Sequence, residues 1–310
     1  VSEEDLLKLI ERMEGRIKRS WRKFIQRSRT NLGQRATERA LRDGTLFDLS
    51  RIVRNEVERF ADEVSALPLE VGAATATATG VTFDVSDPRV VARLQQTRAR
   101  LIRSLTEDVI AQLGPQVILG PQVTLRQRAL EIRESVGLTA NQARAVTNYE
   151  RLLREGNREA LTRQLRDRRF DRTVIASINS DVPLTDEQIA RMVSRYRERQ
   201  LNYRGNVIAQ VEGLRAVGEG DEAFWGQKVD DGTFGQEQIF RRWVTQRDER
   251  VRGSHKSIHG TVKPLGEEFI TGNGNRLRFP GDPNAPASET VNCRCMLATR
   301  VRGQARKAAA

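Results

Sequence analysis

Leu6, Leu9, Ile10, Met13, Ile17, Trp21 and Phe24 recur at steps of three and four residues, which aligns them on one face of a helix. The pattern predicts a long first helix, with Ser2 and Asp5 spaced as a capping pair. Its opposite face carries Arg16, Lys18, Arg19, Arg22, Lys23, Arg27 and Arg29. A second helix is expected from Asp48 to Leu67, ended by Pro68. Residues 69–80, LEVGAATATATG, lack periodicity and read as a linker, and the alternating VTFDV after them as one short strand. Asp87 and Pro88 then supply an N-cap and a first-turn proline for a helix through Val91, Leu94, Leu101, Leu105 and Val109, stopping at Gly114-Pro115.

Two short GPQV turns follow in 114–125, and then three helix starts share one chemistry. Thr124, Thr139 and Thr185 are each followed three residues later by Gln127, Gln142 and Gln188, the spacing of a reciprocal cap. From Gly213 glycines become frequent and helical patterns shorten. IFRRWVT (239–245) reads as a strand, Arg250 to Ile258 as a short helix, and Gly260 to Gly281 as turns with one or two strands. The expected fold class is α+β, a mainly helical N-terminal body followed by a small C-terminal α+β domain. The expected segments are 1–68, a linker at 69–86, a helical domain at 87–212, the small domain at 213–300 and a flexible basic tail at 301–310.

Charge narrows the class of partner. The 310 residues hold 53 Lys and Arg against 41 Asp and Glu, a net charge of +12. Such a surface attracts polyanions, nucleic acid above all. Charges paired along helix faces explain the composition equally well, and the same two readings apply to the ridge of Arg16, Arg19, Arg22 and Lys23. No apolar run reaches the roughly 18–20 residues of a membrane-spanning helix, and the charged opening does not resemble a secretion signal. Neither membrane insertion nor secretion is expected. Two cysteines are too few for a disulfide scaffold and point to a reducing compartment.

Both histidines and both cysteines of the chain fall between 255 and 295. His255 and His259, four apart in SHKSIHG, would share a helix face. Cys293 and Cys295, two apart in NCRC, would point the same way from an extended segment. Two thiols and two imidazoles form the ligand set of a structural zinc site, although Cys-x-Cys is tighter than the usual gap. The competing reading makes the cysteines small buried side chains and His255 a hydrogen-bonded structural residue. Asp248 could orient an imidazole or act as a base, but no catalytic constellation or phosphate-binding glycine loop stands out, and no enzyme is expected.

Three stretches, WVTQRDERVRGSHKSIHG (243–260), FPGDP (279–283) and ETVNCRC (289–295), resemble the phage Mu protein F-like minor head proteins, the phage head morphogenesis family. NVIAQVEGLRA (206–216) resembles the helix that precedes the motif in that family, with Glu212 in place of the usual glutamate and a departure at the residue before it. The resemblance implies a virion protein in the capsid interior of a tailed double-stranded DNA phage, present in the host cytoplasm during assembly. Its implied partners are the portal protein, packaged DNA contacted without sequence specificity, and the major capsid or scaffolding protein. It also strengthens a metal site at His255, His259, Cys293 and Cys295, and makes Trp243, Asp248, Arg250, Arg252, Gly260, Pro280, Asp282 and Asn292 framework residues. A zinc-stabilised nucleic-acid-binding module, or a toxin or nuclease effector built on the same domain, is the alternative.

Overall fold

The structure, a computed structural model, describes residues 3–46, 48–113 and 124–303. The Ser2 cap, the GPQV turns before Thr124 and the tail from residue 304 lie outside the described residues. Helix α1 spans Glu3–Asn31 and buries every apolar residue of the seven-member stripe, while Arg19, Arg22 and Lys23 are exposed. Helices α2 (Gln34–Arg42), α3 (Asp48–Ser65), α4 (Leu67–Thr79) and α5 (Pro88–Leu113) follow, then α6 (Leu125–Ser135), α7 (Ala140–Arg154), α8 (Asp171–Ser180) and α9 (Asp186–Asp230). The chain divides into two compact units that interleave along the sequence. One comprises Val1–Ser20, Ala61–Arg100 and Asn206–Ala310; the other comprises Trp21–Phe60 and Leu101–Gly205.

The second unit is helical. Its core includes a cluster of Trp21, Phe24 and Phe60, with ring centroids 5.3–5.9 Å apart, and a Tyr149–Tyr196 pair at 4.5 Å. All three reciprocal caps form. Gln127, Gln142 and Gln188 each donate their backbone N–H to the threonine hydroxyl and accept the threonine N–H on their side-chain oxygen.

The first unit carries the sheet. β1 (Ile239–Thr245) lies between β2 (Val262–Pro264) and β5 (Cys295–Val301), antiparallel to both, with Trp243 opposite Leu297 and Thr245 opposite Cys295. β3 (Phe269–Ile270) and β4 (Arg276–Leu277) form a separate small ladder. Two single-turn helices, α10 (Gly253–Lys256) and α11 (Ala287–Thr290), complete the module. A core of Phe224, Trp225, Phe234, Ile239 and Leu265 joins the end of α9 to the sheet.

Three expectations need correction. Residues 69–79 are helical, with Gly80 as the C-cap, and are not a linker. Pro68 sits in the first turn of α4, where a proline is tolerated, and Leu67, Val71 and Thr75 are buried. The hydroxyls of Thr75, Thr77 and Thr79 bond back to carbonyls four residues earlier, so burial and local bonding outweigh weak propensity. Residues 81–84 form no strand. The Gln227 amide bonds both Asp84 N–H and Asp84 C=O, in place of a neighbouring strand, and Phe83 packs on Phe224. Lastly, α9 runs straight through the glycine-rich stretch after 213. At Gly218 and Gly220 an added Cβ would collide with Phe279 and with the α4 backbone respectively, so these glycines permit close packing and do not end the helix.

Candidate metal centre

Three of the four expected ligands converge. His255 lies in α10, directly after Arg252 and Gly253 turn the chain into the helix, and is 1% exposed. Cys295 begins β5 and Cys293 precedes it by one alternation, so both sulfurs reach the same interior space. His255 Nδ1 is 3.5 Å from Cys293 Sγ and 3.4 Å from Cys295 Sγ, and the ligand atoms of the trio lie within 4.8 Å of one another. Zinc bonds of about 2.3 Å to sulfur and 2.05 Å to nitrogen, at a tetrahedral angle, place N and S about 3.6 Å apart. The observed separations fit that spacing. They also suit an S–H···N hydrogen bond, so the informative feature is one nitrogen facing two sulfurs at once.

His259 is elsewhere. The helix expected from Arg250 to Ile258 is only the single turn of α10, so the four-residue spacing does not carry His259 onto the same face. Its Nδ1 accepts the Thr245 N–H at 3.1 Å, and its Nε2 faces Arg247 Nε at 3.1 Å. A neutral imidazole accepts at one nitrogen only, so one of these bonds is made at a time. Of the expected set of four, three donors converge and His259 does not join them.

Beneath the trio lies a residue that spacing did not single out. Glu289, in α11, is fully buried and faces His255 Nε2 at 2.8 Å, although the N–H does not point squarely at the oxygen. The same carboxylate accepts bonds from Ser254, Thr271, Asn273 and Asn275. Desolvation pushes its pKa up, but the bonds from Asn275, Ser254 and Asn273 and the nearby imidazole outweigh it and hold the group below the ordinary value. A proton on Nε2, on the side of Glu289, would leave the Nδ1 lone pair facing the sulfurs. That is the tautomer a metal-binding histidine needs.

The sulfurs are electrostatically coupled. The hydrogen bond from Cys295, against opposing desolvation and with help from His255, draws the Cys293 thiol down; the same bond and burial push the Cys295 thiol up. Two adjacent buried thiols resist ionising together. Both ionise readily only against positive charge, which a divalent ion would supply. The buried indole N–H of Trp243 has no oxygen or nitrogen acceptor among the described residues, and it favours negative charge on Cys295. Its ring also meets His255 edge-on, with centroids 5.3 Å apart. The donor set thus fits a zinc ion, which His255 Nδ1 and the two sulfurs would hold.

The remaining motif residues build the frame. Asp248 accepts the Arg250 N–H and holds Arg294, the residue between the two cysteines, at 2.5 Å. That contact is the main reason its carboxyl is held below the usual range. Arg252 bonds the Val291 carbonyl, Asn292 adopts a left-handed conformation (φ 56°), and Gln210 of α9 donates to the Cys293 carbonyl at 3.0 Å. Gly260 takes φ 82° and donates to the Trp243 carbonyl. Beside Pro280, the Gly281 carbonyl accepts from Arg215, and buried Asp282 bonds Arg278 and the Asn284 N–H. Glu212, the matched glutamate of the α9 motif, is buried between Arg100 (2.8 and 3.0 Å) and Arg215 (2.5 Å). Arg250 is exposed, and on α1 Arg16 pairs with Glu70 while Arg19, Arg22 and Lys23 remain at the surface.

Fold and cage together define a largely helical protein whose small α+β module is organised around a buried His–Cys–Cys trio backed by a carboxylate. Residues 147–298, just under half of the chain, match the family described as Phage Mu protein F like protein, and the match supports a protein of that type. The match extends upstream of the motif helix into α7 and α8. No curated protein and no solved structure matches the chain.

Proposed function

We propose that the protein is a minor head protein of a tailed double-stranded DNA phage. It resides in the capsid interior, associates with the portal vertex and packaged DNA during head assembly, and contacts the major capsid or scaffolding protein there. Within it, His255, Cys293 and Cys295 hold one structural zinc that fixes the C-terminal module. The family match over residues 147–298 carries the reading. The net charge of +12 supports a place against densely packed phosphates. Donors only 1–3% exposed suit an ion that pins the fold better than one that exchanges substrate. Among the described residues no helix is long and apolar enough to cross a membrane.

Heads isolated from an infected or induced host, probed for this chain and for portal protein, test the proposal. The chain is expected in the head fraction at low copy and to copurify with portal after mild disruption. Its absence from heads, with no association with portal or DNA at low salt, would contradict it.

A further inference from the structure

An open cleft of about 620 Å³ lies beside the trio, on the outer side of α10 and α11. Its charged lining residues are Arg250 and Arg252, joined by Asn273, Ser288 and Asn292; no carboxylate lines it. The nearest acid of the cage, Glu289, is buried, and its oxygens are taken up by Ser254, Thr271, Asn273, Asn275 and His255. Asp248 is engaged with Arg294 and the Arg250 backbone. The lining of the cleft therefore carries two guanidinium groups and no acid.

Its donors are also free. Among the described residues, the Arg250 guanidinium, the Ser288 hydroxyl and the Asn292 amide have no protein partner, and all three residues are exposed. Arg252 is different: its bond to the Val291 carbonyl fixes the guanidinium against the cleft wall. An anchored arginine, a free one, a hydroxyl and an amide on one acid-free wall make a receptor for a tetrahedral oxyanion. Asn292, in a left-handed backbone conformation, lines the same cleft.

We propose that this cleft binds a phosphodiester group of the DNA backbone, with Arg250 and Arg252 as its principal contacts. The inference rests on the DNA-contact part of the function proposed above and assigns it to a place. A free phosphate offers the same chemistry, and the test separates the two sources.

The test uses the full-length, metal-loaded protein, a duplex of about 20 base pairs, and inorganic phosphate as a second probe. Arg250→Gln is the working variant, since its side chain supports nothing else in the structure; Arg22→Gln on α1 is the reference. DNA affinity is measured against salt, and the arginine side-chain NMR signals are followed during each titration. Arg250→Gln is expected to lower the slope of log affinity against log salt by about 0.9, one phosphate contact, and DNA should shift the Arg250 and Arg252 signals. A slope changed by Arg22→Gln but not by Arg250→Gln would overturn the cleft while leaving DNA binding intact. If wild-type protein binds no DNA at low salt, the broader reading fails on its own. Inorganic phosphate shifting both arginines would then support an oxyanion site for a free ligand, and no shift would overturn the site altogether. Shifts produced by a glutamate-rich peptide but not by DNA would reject the phosphodiester in favour of a protein partner.

Discussion

Glu289 carries an unusual share of the module's internal bonding. Four side chains donate to it and His255 leans on it, all away from water. Replacing it with alanine strands those donors in the interior, and a loss of about 3–5 kcal/mol is expected in denaturant unfolding. Glu289→Gln keeps an acceptor and should cost less. Because its pKa is depressed in the fold, this carboxylate contributes stability above the ordinary glutamate range, and the contribution is lost as pH falls through the folded value. Asp221 behaves oppositely. Burial pushes it from 3.8 to about 6, against bonds from Thr299 and Trp225 and the charge of Arg241. The fold holds its proton more tightly than the unfolded chain does, so its ionisation costs stability as pH rises from about 4 to about 6. Asp221→Asn should flatten that part of the pH profile relative to wild type. At pH 7 it should add about 1–2 kcal/mol, a figure discounted for the group's partial solvent access.

At the scale of elements, the glycines of α9 separate two roles. Gly220→Ala should destabilise by about 1–3 kcal/mol, because the new methyl meets the α4 backbone. Gly226→Ala has nothing within 4 Å of its new atom and should stabilise by about 0.5–1 kcal/mol. Denaturation midpoints of the two variants should therefore move in opposite directions. These glycines also explain what the sequence concealed. A glycine's composition signal is the same whether it ends a helix or admits a neighbour, so α9 looked finished at 213 although it continues to Asp230. The three threonine–glutamine caps and β1 were legible because their chemistry is local. At the site, His255, Cys293 and Cys295 could be read from their exclusive clustering. His259 misled because a one-turn helix cannot carry a four-residue spacing. Glu289 lies within the ETVNCRC motif, but its role depends on α11, α10 and the 271–275 turn meeting in space, which no spacing encodes.

For the molecule as a whole, much of the high arginine content is spent inside each unit. Arg100 and Arg215 clasp Glu212, Arg204 pairs with Asp108, and Arg241 and Arg278 share Glu222. Internal pairing thus explains part of the composition, yet the excess of +12 remains for an outside partner. If about six phosphates are engaged, DNA affinity should fall by about 10³-fold from 50 to 200 mM salt. A salt-insensitive affinity would point away from backbone contacts.

Metal content bears on the central idea most directly. Protein purified without chelator, examined by elemental analysis and X-ray absorption at the zinc edge, should contain about one zinc per chain with two sulfur neighbours near 2.3 Å and one imidazole nitrogen. Cys293→Ser should release the ion and make the region after residue 239 sensitive to protease. A metal-free chain whose module resists protease as well as the loaded one would contradict the account.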